Sequence, residues 1–125
     1  MACDPALEAD FAASWERMIA FYDDFLKDAA WGWLARMRDL VVRLRDAGYN
    51  RTLRAGQSMT TFMVSRSRDH GLRPEQPSLA LTPQRELITV VPNHFAGDRH
   101  FTISYGDLDP LLLELLDALE HIPVD

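Results

Sequence analysis

The chain has 125 residues, of which 47% are apolar and 26% charged, with a formal net charge of −6. That length is one domain, able to bury roughly two-thirds of the surface its unfolded chain exposes, and the composition excludes a disordered or fibrous protein. The single cysteine, Cys3, excludes an internal disulfide and a cysteine-rich zinc site.

Asp4 before Pro5 is an N-cap followed by a favourable first helical residue, and predicts a helix over residues 5–30. Leu7, Phe11, Trp15, Met18, Ile19, Tyr22, Phe25 and Leu26 recur at steps of three and four, the period of one helical face. Seven of the twelve aromatic residues lie between Phe11 and Trp33. Core packing accounts for such a stripe more simply than an aromatic cage or partner groove, because large rings supply most of a small domain's buried area. A second helix is expected from about Trp31 to Ala47, with Leu34, Met37, Leu40, Val41 and Leu44 inward. Gly48 ends it in the left-handed position, and Asp39 and Arg43 are spaced as a surface ion pair. The first two helices are expected to form an antiparallel hairpin.

Residues 53–71 admit two readings. Thr60, Thr61, Phe62 and Val64 favour a strand, whereas Met59, Phe62, Met63, Arg66 and His70 share a helical stripe that ends at Gly71. Gly56, Thr60 and Ser67 form a small-residue flank to that stripe. The helical reading, from about Arg54 to His70, is preferred. Pro74 and Pro77 then hold an extended linker. Three short strands follow, over Ser78–Thr82, Glu86–Val91 and His100–Tyr105, with Pro83 in the first turn. Asp109 caps a last helix that begins at Pro110 and runs to about His121, with Leu108 and Leu113 placed as a hydrophobic staple. The fold class is therefore α+β in a single domain: a helical hairpin and third helix, a three-stranded antiparallel meander, and a C-terminal helix. The sheet becomes four-stranded if residues 58–68 are a strand.

Charge is segregated along the chain, with ten arginines and four acids over residues 36–85 and a net negative balance on both sides. Twelve of the thirteen basic residues are arginine, the side chain best suited to bidentate pairing with carboxylates or phosphates. Pairing with the acidic flanks is the expected use of these arginines. Overall acidity argues against a nucleic-acid partner. No apolar run reaches the ~20 residues of a membrane span, which argues against a membrane partner. Asn50-Arg51-Thr52 matches a glycosylation acceptor but carries no weight without a secretory signal. The acidic first thirty residues do not resemble a targeting peptide, so a cytoplasmic location is expected.

No nucleotide-binding loop, nucleophile elbow or metalloprotease motif is present, and neither a catalytic set nor a cofactor is expected. Four weaker groupings remain. His94, Asp98 and His100 are metal-capable types, but their spacing fits no established site, so solvated loop residues are preferred and no metal is expected. Asp107 and Asp109 resemble a magnesium pair, yet helix capping explains them. Ser65, Ser67 and His70 lack the orienting group of a nucleophilic triad. Arg66 and His70 on an inward stripe are the best specific candidates: either an acid pairs with Arg66, the preferred reading, or Arg66 lines an anion cleft with Arg54, Arg68 and Arg73 nearby. The expected function is a non-enzymatic protein-interaction role of the adaptor, immunity or chaperone kind. A sensor for an anionic small molecule is the alternative, and an enzyme without a recognisable motif the second alternative. The leucine-rich last helix has more apolar surface than one sheet face needs, which raises a homodimer through that helix as a further expectation.

Overall fold

The computed structural model describes residues 4–68, 75–106 and 108–124, apart from the side chain of Asp98. Helix α1 spans Pro5–Leu26, and the Asp4 carboxylate accepts a hydrogen bond from the Ala6 amide as the cap requires. It stops four residues short of the expected end because Asp28 starts a new element. The Asp28 carboxylate accepts from the Ala30 amide and opens a 3-10 turn over Ala29–Leu34. Helix α2 is Ala35–Asp46, closed by Gly48 at φ +101°, a conformation that only glycine holds without strain.

From Arg54 the chain enters an antiparallel meander of five strands in the order β1-β2-β3-β4-β5. They are β1 (Arg54–Ser58), β2 (Thr61–Ser65), β3 (Ser78–Pro83), β4 (Ile88–Asn93) and β5 (Phe101–Ile103). Helix α3 (Pro110–Glu120) follows, with the Asp109 carboxylate accepting from the Leu111 amide. The α+β class holds, but the helix expected over residues 54–70 is replaced by a hairpin, so the sheet has five strands. Phe62 pairs with Leu81 and Gln57, and Val64 with Leu79 and Ala55, a cross-strand ladder that no helix can make. The period is two: Phe62 and Val64 are fully buried, while Thr61 and Met63 on the other face are only partly so. Residues 69–74, which carried the expected helix stop at Gly71, lie outside the described residues.

The core fills the space between one sheet face and the helices. Phe62, Val64, Leu79, Leu81, Ile88 and Val90 meet Trp15, Tyr22, Leu40, Leu44, Leu112 and Leu116, all buried. The opposite face carries Gly56, Met63, Ala80 and Val91 in one cross-strand row. Next to it, Thr82, Thr89 and Thr102 form a second row, and Thr61 Oγ1 lies 3.1 Å from Thr82 Oγ1. On α3, Leu112, Leu115, Leu116 and Leu119 are buried and Leu111 alone is exposed among its leucines. The helix thus spends its apolar surface within the domain, and little remains for the dimer expected from its composition. No helix among the described residues is long and apolar enough to cross a membrane.

Candidate functional site

Three side chains fasten α1 alongside β1, and both elements run in the same direction. Trp15 Nε1 donates to the Leu53 carbonyl at 2.8 Å, and the Ala55 amide donates to Ser14 Oγ at 2.9 Å. Two turns further on, the Tyr22 hydroxyl donates to the Thr60 carbonyl at 2.8 Å. The edge of the sheet therefore meets a helix flank instead of another strand. Between them lies a groove of about 650 Å³. Ser14, Arg17, Met18 and Phe21 form its helical wall, the successive residues of one face. Arg54 to Ser58 form the opposite wall, with Met63 behind them.

Gly56 leaves this groove open: a Cβ built there would meet no atom within 4 Å. Phe21 also begins a chain of rings that leaves the groove along the surface. Its ring centroid is 5.0 Å from Phe25, which is 5.0 Å from Trp31, which is 6.2 Å from Trp33. Trp31 is exposed and the other three are partly so. Core packing, the reading preferred from composition, thus accounts fully for Phe11, Trp15 and Tyr22, while Phe21, Phe25 and Trp33 pack against the margin of the core and Trp31 is exposed. At the turn between β1 and β2, Met59 is 82% exposed and holds φ at +56°. A glycine would hold that backbone more cheaply, so a bare methionine there is a cost without a structural return.

Of the candidate anion residues, Arg54 borders the groove, and both it and Arg66 are engaged. Arg66 is 2% exposed; its Nε donates to the Ile122 carbonyl at 2.8 Å and its Nη1 to the Thr52 carbonyl at 2.6 Å. Arg54 is 4% exposed; it donates to the Ser67 carbonyl at 2.9 Å and to Asp10 at 2.5 Å, with the Phe11 ring 5.2 Å from its guanidinium carbon. Arg68 is exposed, while His70 and Arg73 lie outside the described residues. Asp10, an acid of α1, pairs with Arg54, and carbonyls of two distant segments are among the partners of Arg66. Other arginines of the basic stretch reach the acidic N-terminal helix, Arg38 to Asp23 at 2.6 Å and Arg45 to Glu16 at 3.1 Å. Arg43 does not pair with Asp39; its guanidinium caps the carbonyls of Tyr105 and Gly106.

Of the remaining groupings, His94 lies at φ +63° at the start of the β4–β5 loop, and His100 is exposed just before β5. The side chain of Asp98 and the whole of Asp107 lie outside the described residues. No group of three potential metal-ligating side chains converges among the described residues. Ser65 Oγ accepts from the Ser67 amide at 3.2 Å, a local turn bond.

The site that the fold defines is thus a peptide-sized groove at a sheet edge, bordered by aromatic and methionine side chains. No protein-family model, curated protein or solved structure matches the chain, so function is read from this geometry.

Proposed function

We propose that the protein is a small non-enzymatic interaction protein that binds another protein in the groove between α1 and β1. The observation that carries this reading is the groove itself, opened by Gly56 and continued outward by Phe21, Phe25 and Trp31. Aromatic residues, methionine and arginine are the side chains enriched where protein surfaces bind each other. Methionine adds adaptability, since its unbranched thioether repacks around different shapes. Met18, Met59 and Met63 lie in the groove or at the adjoining turn.

Gly56→Val separates binding from folding. Its φ is not left-handed and the space beside it is open, so the variant is expected to be as stable as wild type or slightly more so. The valine side chain enters the groove and narrows it. A displayed random-peptide library selected on the wild type should yield sequences that bind it and fail to bind the variant. Selected sequences that bind both proteins equally would place recognition elsewhere and contradict the assignment.

A further inference from the structure

We infer that the groove takes its partner as an extended segment that adds a strand to β1 and places a carboxylate against Arg17. This rests on the protein-binding reading and specifies its chemistry. In an antiparallel pair, successive residues turn their backbone groups alternately toward and away from the neighbouring strand. The Ala55 amide points away from β2, since it donates to Ser14 Oγ. Gln57, two residues on, therefore turns its N–H and C=O the same way, into the groove. An added strand is the ligand that satisfies both groups at once, and alternate side chains then face the wall. Those facing inward would meet Met18, Phe21 and Met63, which calls for apolar residues.

Arg17 supplies the sign of the charge. It is exposed on the groove wall and makes no ion pair or hydrogen bond with another described residue. Arg54 lies on the groove wall, and its buried Nη1 has no hydrogen-bond partner among the described residues. Arg54 is balanced by Asp10, so Arg17 is the uncompensated charge among the residues that line the groove, none of which is acidic. The fitting occupant is an extended segment of a protein partner with alternating apolar residues and one Asp or Glu.

The probes are acetylated, amidated heptapeptides that alternate leucine or valine with serine and carry one glutamate at each position in turn. Titrated into isotopically labelled protein, at least one register should bind and shift the Gln57 amide together with the Met18 and Met63 methyl groups. Arg17→Gln, or glutamine in place of the peptide's glutamate, should each weaken that binding about tenfold, as expected for losing one charge-assisted hydrogen bond. N-methylation of the peptide amide facing Gln57 should abolish it. Binding that shifts the Phe25 and Trp31 rings but leaves the Gln57 amide unmoved would overturn strand addition and leave the protein-binding reading standing. So would equal affinity for the N-methylated peptide. A doubled mass with Gln57 protected in the absence of peptide would assign the edge to a second copy of the chain and overturn the foreign segment.

Discussion

Arg66→Met is expected to cost about 3–5 kcal/mol of stability, the loss of two hydrogen bonds from a charged donor to buried or half-buried carbonyls. Methionine matches the arginine stem in length but offers no donor. The Ile122 and Thr52 carbonyls would then lose their shared partner. The effect exceeds that of one local contact because Arg66 joins three separate stretches of chain. It follows β2, reaches back to the turn before β1, and holds the segment after α3. A melting-temperature loss of roughly 10–20 °C is expected for a domain of this size. Inorganic phosphate should shift wild type and variant equally, because these two donors are already committed. A variant as stable as wild type that also lost a phosphate-dependent rise in melting temperature would restore the anion cleft.

Alkaline pH should unfold the protein through its tyrosines. The chain has three, and all are held above the ordinary phenol range. For Tyr22 the main cause is burial, with Tyr105 adding a smaller like-charge contribution. For Tyr49 burial is again first, followed by the hydrogen bond its hydroxyl donates to Asp117 at 2.8 Å. For Tyr105 burial outweighs the guanidinium of Arg36, whose central carbon lies 4.7 Å from the ring centroid. A raised phenol pKa means that the folded state keeps its proton after the unfolded chain has lost it. The stabilisation is therefore complete below the unfolded value of about 10 and is lost as pH rises above it. Phenolate absorbance near 295 nm should rise in one steep step together with loss of circular dichroism. A gradual rise centred near pH 10, with the dichroism unchanged, would show that the tyrosines titrate within the folded protein.

Three helix ends were legible in the residues because capping is local chemistry. Asp4-Pro5, Asp109-Pro110 and Gly48 each act within a turn of their own position, and the structure has all three where expected. The strands β3, β4 and β5 were also legible from their alternation. The middle one lies two residues later than read, because Gln84 donates its amide to the Leu87 carbonyl and holds Leu87 in the turn. The hairpin of β1 and β2 was hidden for two physical reasons. Its turn residues, Met59 and Thr60, include none of the usual glycine, asparagine or proline, so nothing marked the reversal. And Met59, Phe62, Met63 and Arg66 fall on one face at helical spacing as well as they fit two strands and a turn.

The same contrast holds at the site. That Arg66 would be buried and engaged could be argued from the residues, since a guanidinium among apolar neighbours requires acceptors, whereas Arg54 carried no such signal. Which acceptors serve them could not be argued, because Asp10, Thr52 and Ile122 come from sequence-distant segments. The groove was illegible for the same reason. It exists because Ser14, Trp15 and Tyr22 fasten a helix to a strand 38 or more residues later. Gly56, noted in the sequence as part of a small-residue flank, does permit open space beside it, but the neighbour is the flank of α1 and the space is the groove.

Residue-resolved amide hydrogen exchange of the free protein tests most directly whether β1 presents an open edge. The hairpin register pairs Gly56 with Met63 and Ser58 with Thr61, and the outward Ala55 amide makes these the bonded pairs. The Gly56 and Ser58 amides should therefore exchange slowly, and the Gln57 amide between them should exchange fast. A Gln57 amide as slow as its two neighbours would mean that the edge is already occupied, and the groove could not take an added strand.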